Sequence, residues 1–408
     1  MAPSLPDSTL AFLREGYPFI SARCDALGTD VFTSRIAFRP VTFIRGAEAA
    51  GLFYEGNRFT RQAAMPPTVQ HLLQDKGSVQ GLDGQAHAHR KRAFLGLMTP
   101  DAMTRLGDLF EEEWRAAMNR LASRRGFRLL DVAREVLVRA VCRWSDVPLP
   151  ENEVRRRTHE FALMIDQVAH VGPGNWYAQW RRRGTERWIA GLVEQVRSNR
   201  LEAAPGTALE VFAHHRENGE LISPEVAAVE IINILRPTLA LANFVVFAAL
   251  ALDEHPEWRE AFAAGDESDL EPFVQEVRRY YPFFPAVPGR VVEPFEFGGH
   301  SFARGEWVIL DLYGTCHDRR IWQDPESFSP ERFRGWSWEE SPNTLIAQGA
   351  GRHLENHRCP GEWSTVELLK RAARLLSTSD LYLPAQDRTI PLDSFPSIPH
   401  SGVILAHR

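Results

Sequence analysis

Cysteine is scarce in this chain. Its 408 residues hold four, Cys24, Cys142, Cys316 and Cys359, far apart and with no C-x-x-C pair. That spacing argues against a disulfide framework or a zinc site and fits a reducing, cytoplasmic setting. A basic footprint is missing too. The net charge is −6 at pH 7, which speaks against a nucleic-acid partner. No low-complexity tract, repeat or linker divides the sequence. With 44% hydrophobic residues, 1–408 reads as one large domain around a sizeable core. The start, Met-Ala-Pro-Ser-Leu-Pro-Asp-Ser-Thr-Leu, has neither basic residues nor an apolar run of signal length. The most apolar stretch, Val226 to Leu252, is interrupted by Glu230, Asn233, Arg236, Pro237 and Asn243. It therefore predicts a long core helix, with no transmembrane anchor.

Apolar residues three and four apart predict helix over Asp101 to Leu149 and over Glu151 to Asn199, the latter broken at Gly172-Pro-Gly174. Pro224 opens the central helix and His255-Pro256 closes it; Asp269 to Tyr281 is another helix. Val287 to Leu312 alternates and carries Gly298-Gly299 and Arg304-Gly305, as paired short strands would. A loop rich in proline and tryptophan fills Ile321 to Pro342, and a last helix follows Pro360. The expected fold class is mainly α with a small β portion.

Chemistry concentrates in Gln348-Gly-Ala-Gly-Arg-His-Leu-Glu-Asn-His-Arg-Cys-Pro-Gly-Glu362. Cys359 stands in a glycine-rich turn before a helix, beside His357 and Arg358. A helix N-terminus and neighbouring cations lower a thiol pKa and favour the metal-binding thiolate. Pro360 suits the first turn of the helix that follows. Upstream lie Glu276-Val-Arg-Arg279, whose outer residues share a helix face and can pair, and Pro330-Glu-Arg-Phe333. An arginine from the second motif could complete a buried charged cluster.

The order E-x-x-R, P-E-R-F, H-x-C-x-G resembles the cytochromes P-450, the haem-thiolate oxygenases, over essentially the whole chain. The resemblance implies their mostly helical fold and haem b, with Cys359 as the metal ligand. His87 and Lys91, four apart on one helix face, match the family's propionate-binding histidine and basic residue, lysine replacing the usual arginine. Arg61, Tyr281, Arg290 and His357 are further propionate candidates; His89 is as readily a solvated neighbour. The family usually carries phenylalanine seven residues before the ligand, where this chain has Arg352.

The central helix departs further. The family's acid–threonine pair, a proton relay, has no counterpart in Ile231-Ile-Asn-Ile-Leu-Arg-Pro-Thr-Leu-Ala240. Arg236-Pro237 stands in its place. Proline kinks a helix. A buried arginine needs a partner, and its fork fits a carboxylate. Glu230, six residues back, lies off the same face. The alternative is a substrate carboxylate anchored by Arg236, which could itself act as acid–base by moving a proton between the oxygens of hydrogen peroxide.

Arg-Pro here resembles the fatty-acid peroxygenase branch, which uses hydrogen peroxide to hydroxylate long-chain fatty acids at the α or β carbon, without a redox partner. Some members decarboxylate them to terminal alkenes. The segments Asn57-Arg-Phe-Thr-Arg61 and Ser78 to Lys91 look like that branch too, as does the elongated cysteine loop. Gln80 falls on its substrate-facing position, where histidine is associated with alkene formation and glutamine with hydroxylation. The resemblance makes Arg236, Pro237 and Gln80 the catalytic candidates. Arg236, Gln80, Leu73, Val79 and Phe283, with Phe284, are the substrate contacts. Alkene-forming decarboxylation, a reductase-dependent monooxygenase and a non-catalytic haem or lipid binder are the competing readings.

Overall fold

The structure, a computed structural model, describes residues 2–75 and 77–408. Its centre is the apolar segment that begins at Ser223. The Val226 N–H donates to Ser223 Oγ at 3.2 Å and Pro224 fills the first turn, where an N–H would have no helical partner. This central helix runs Pro224–Ala240. Pro237 removes one N–H from it. The helix nevertheless continues through Pro237 and stops at Ala240, and Leu241 leads into a second helix, Ala242–Glu254. The Leu241 N–H bonds back to the Thr238 carbonyl at 3.1 Å. The stretch Pro224–Glu254 is long and apolar enough to cross a membrane. However, 89% of its most apolar window is buried inside the molecule, which makes it core.

Helices Leu129–Trp144, Glu151–Asp166 and Pro173–Arg197 pack around the central helix, and their inward stripes join its Ile231, Ile232 and Leu235 in one apolar core. Where the sequence predicts one helical region over Asp101 to Leu149, there are two helices, Pro100–Leu121 and Leu129–Trp144. Strand Gly126–Arg128 separates them and pairs with Ile404–His407, a partner too distant in sequence to read from periodicity. The break expected at Gly172-Pro-Gly174 falls earlier: one helix ends at Asp166 and the next starts at Pro173, so Pro173 and Gly174 lie in its first turn.

The largest of the four sheets has six strands. Its order is Ser4–Asp7, Val31–Ile36, Arg39–Ile44, Trp307–Asp311, Ala286–Val291, Phe59–Thr60. Trp307–Asp311 runs parallel to Arg39–Ile44 and antiparallel to Ala286–Val291. Strand Ala286–Val291 thereby borders the space between the central helix and the cysteine loop. The helix after that loop is Glu362–Ser377, so Pro360 sits in the turn ahead of it and not in its first turn.

Candidate active site

The cysteine loop is held by backbone bonds and one carboxylate. The Cys359 N–H donates to the Gln348 carbonyl at 3.0 Å. Gly349 has φ +99°, and a Cβ there would press to 3.2 Å from the Arg358 backbone, so the fold of the loop requires glycine. Glu362, fully buried, receives Arg358 Nε at 2.6 Å and Nη2 at 3.0 Å, and it also pairs with Arg278. Burial pushes its carboxyl up, but the two guanidinium groups outweigh that and hold it at about 2. Behind this pair lies the cluster that the motifs predict. Glu276 takes Arg279 at 2.6 and 2.8 Å and Arg332 of the P-E-R-F turn at 3.3 Å.

These pairings correct the reading of Cys359. Arg358 is spent on Glu362, and the His357 imidazole is kept neutral, pushed well below its usual range by burial and by Arg61. Burial and Glu362 raise the Cys359 thiol, against the Gly361 N–H, Lys91 and Arg278, which lower it. A bound metal, not the loop alone, would draw off the proton.

Over the sulfur opens a cavity of about 1500 Å³, mouth included. Leu73, Val79, Phe283, Phe284 and Leu241 give it apolar walls, and Gln80, Asn233, Arg236 and Pro237 face it from the distal side. Gln80 also lines a smaller adjoining pocket with Arg61, Met65 and Gln74. Arg236 is 5% exposed. Its Nη2 donates to the Leu73 carbonyl at 2.6 Å, its Nε has no partner, and no carboxylate pairs with it among the described residues. Burial and the nearby Arg182 push its pKa down to about 9, with Cys359 opposing. Glu230 turns away to Arg90 at 2.9 Å and to the Val79 N–H at 2.7 Å. The charge of Arg236 is therefore buried and unanswered, an arrangement that costs several kcal/mol unless an anion arrives (roughly 3–5).

Of the propionate candidates, His87 and His357 come together, their rings stacked at 3.8 Å, and Arg61 lies over Phe53 and Tyr54 at 4.1 and 4.9 Å. Burial and Lys91 lower His87 to about 4. Lys91 lines the cavity, but its ammonium is tied to the Asn356 and Arg358 carbonyls of the cysteine loop, which makes it a strut of that loop. Tyr281 stands apart, stacked on Phe247 at 4.8 Å with its hydroxyl unpartnered. Arg290 is also outside the cavity, donating to the Ala63 and Gly305 carbonyls at 2.9 and 3.1 Å. His89 bonds to the Arg216 carbonyl, away from the site. Arg352 is exposed and pairs with Glu355 at 3.4 Å.

Other contributors carry no motif. Tyr54 and Asn233 line the cavity, and Asn233 Oδ1 is buried without a partner. Arg182 donates to the Leu72 carbonyl at 2.6 Å. Arg182 and Arg236 thus grip consecutive carbonyls at the end of helix Pro67–Leu73, where the helix dipole favours cations. Spacing offers no signal for these contacts, which join residues more than a hundred apart.

The residues present fit haem. A sulfur faces a broad apolar cavity, and beside it Arg61 and the His87–His357 stack have, among the described residues, one nearby carboxylate, Asp83, whose Oδ1 stands 3.9 Å from His357 Nε2 and makes no hydrogen bond. A planar macrocycle bearing two carboxylates answers both features.

The profile of the cytochrome P-450 family matches residues 270–395. Cytochrome P-450EX alpha (CYP152N1), solved with myristic acid, is 42% identical; the match covers 100% of this chain and 98% of that one at a TM-score of 0.95. A variant of cytochrome P-450 OleT, solved with arachidonic acid, is 31% identical with the same coverage and TM-score. Curated relatives match in part: rhazimal synthase of Alstonia scholaris is 30% identical over 176 residues, 37% of this chain. The chain spans 34% of that relative's length. The full-length likeness and the site together place this chain in the cytochrome P-450 family of thiolate-ligated haem oxidoreductases, in its fatty-acid peroxygenase branch.

Proposed function

We propose that the protein hydroxylates long-chain fatty acids at the α or β carbon with hydrogen peroxide, giving hydroxy acid and water, without a redox partner. The observation that carries this reading is the bare guanidinium of Arg236, buried over the Cys359 sulfur in a cavity with apolar walls. A fatty-acid carboxylate supplies the missing anion, and the guanidinium fork accepts it. Leu73, Val79, Phe283 and Phe284 then shelter the alkyl chain from water. The relatives solved with myristic and arachidonic acids support the same substrate class.

Haem b, bound through Cys359, supplies the oxidising chemistry. The residues of the chain bind, orient and manage the proton. Arg236 holds the substrate carboxylate where it can carry a proton from one oxygen of hydrogen peroxide to the other, replacing the absent acid–threonine relay. Pro237 lines the pocket beside the anchor, inside the central helix, and removes one N–H from it. Gln80 borders both the cavity and the adjoining pocket, close to where the reacting carbons would lie.

The test is purified protein with hydrogen peroxide and myristic acid, no reductase present, and products identified by mass spectrometry. Hydroxymyristate is expected, and its position separates α from β. A terminal alkene one carbon shorter would keep the anchor and overturn hydroxylation. No product, from protein with a thiolate–carbonyl haem spectrum, would favour a reductase-dependent monooxygenase.

A further inference from the structure

The helix Pro173–Arg197 carries a surface that the proposed reaction does not use. Trp176, Tyr177 and Trp180 are 63%, 46% and 58% exposed, and Val171 just ahead of them is 86% exposed. Of eleven tryptophans in the chain, only these two are exposed, so their position is not an accident of composition. Spacings of three and four continue the stripe through Arg183 to Arg187, both exposed and neither in an ion pair among the described residues. From Gln167 to Thr185 there is no acidic residue, and Glu186 turns inward to Arg182 at 2.7 Å.

We infer that this stripe docks the protein on an anionic phospholipid surface. Indole and phenol rings have an apolar body and a polar edge and settle at the headgroup layer. Arginines at the end of an aromatic stripe meet lipid phosphates, and each basic residue near such a surface contributes attraction that salt weakens. A second copy of this chain is a poor occupant, because a two-fold contact would bring unanswered arginines toward each other with no acid on the stripe. The surface adjoins the active site. Behind the aromatics Ala178 packs with Val168 on Leu72 and Leu73, and Leu73 lines the cavity and accepts from Arg236. Delivery of an acyl substrate from the bilayer would rest on the proposed function; the docking itself does not.

Flotation of the haem-loaded protein with vesicles tests it. Vesicles of phosphatidylcholine alone are compared with vesicles that also contain phosphatidylglycerol, at low and high salt. Wild type is expected to float with the phosphatidylglycerol vesicles, less at high salt, with tryptophan emission moving to shorter wavelength. Trp176→Ala/Trp180→Ala is expected to bind about tenfold more weakly and lose the emission change. Arg183→Gln/Arg187→Gln is expected to lose the preference for the anionic lipid. An unchanged thiolate–carbonyl spectrum checks the fold of both. Wild type that floats with neither vesicle, or double variants that float like wild type, would overturn docking. So would a dimer in light scattering that the tryptophan variant dissolves. The readout involves no turnover, so its failure and that of the proposed reaction are separate results.

Discussion

Two sets of buried arginines flank Cys359 and differ in what answers their charge. Behind the cysteine loop, Arg278, Arg279 and Arg358 are at most 1% exposed, and each has a carboxylate, Glu362 or Glu276. On the cavity side Arg236, 5% exposed, has one backbone carbonyl and an orphaned Nε. Desolvation is nearly equal in the two sets; compensation is not. Burial alone therefore does not separate a structural arginine from a functional one. The missing counter-ion does, because a fold keeps an unanswered charge only where a ligand completes it.

The sharpest way to break this contrast is to delete the unanswered charge. Arg236→Ala is expected to lower peroxide-driven turnover of myristic acid by roughly 10²–10⁴-fold, since anchor and proton carrier leave together. Full activity in that variant, with its haem spectrum intact, would end the anchor idea. Deleting a counter-ion from the other set should act on stability instead. Glu276→Ala strands Arg279 and Arg332, and about 3–5 kcal/mol of unfolding free energy should be lost in a urea titration.

A subtler comparison replaces Arg236 by leucine in the ligand-free protein. No counter-ion is stranded, only the Leu73 carbonyl loses a donor, and a buried charge is removed, so the variant should be inactive yet more stable by about 1–4 kcal/mol at pH 7. The sign of its pH dependence follows from the guanidinium being pushed down to about 9, well below its value in the unfolded chain. Between those values the unfolded chain binds more protons than the folded one, so wild-type stability rises with pH there. The advantage of Arg236→Leu should thus be constant below about pH 9 and narrow above it. Urea titrations at pH 7 and pH 10 would read this directly.

The same contrast explains what the sequence discloses. Cys359 and the Glu276–Arg279 pair are legible because each is contained in a few residues or one helical repeat. Arg236 stands out because a charge in an apolar segment demands an explanation. Glu362 had a local signal, its four-residue spacing from Arg358, but its second partner, Arg278, lies 84 residues away. The grip of Arg182 and Arg236 on Leu72 and Leu73 is likewise made by the tertiary fold. Tyr281 and Arg290 lie outside the cavity. Nearness in sequence to cavity residues such as Phe283 and Val287 does not bring them in: Tyr281 stacks on Phe247 in the core, and Arg290 donates to the Ala63 and Gly305 carbonyls.

Gln80 gives the smallest expected effect and tests how far the anchor alone sets the outcome. Its backbone N–H is fixed by Ser78 Oγ at 3.3 Å, and Ser78 is tied in turn to Asn233 of the central helix at 3.0 Å. The side chain is therefore presented to the cavity from a held turn. Gln80→His keeps a polar group at that place but changes its shape and adds a titratable ring. Because the anchor and cavity walls stay, myristic acid should bind as before and total turnover should hold. The ratio of terminal alkene to hydroxy acid should rise a few-fold, a difference below about 1.4 kcal/mol between competing paths. An unchanged ratio would mean that product choice lies with Arg236, Pro237 and the cavity walls. A collapse of binding instead would move Gln80 into the anchor itself and enlarge the set of groups that answer the substrate carboxylate.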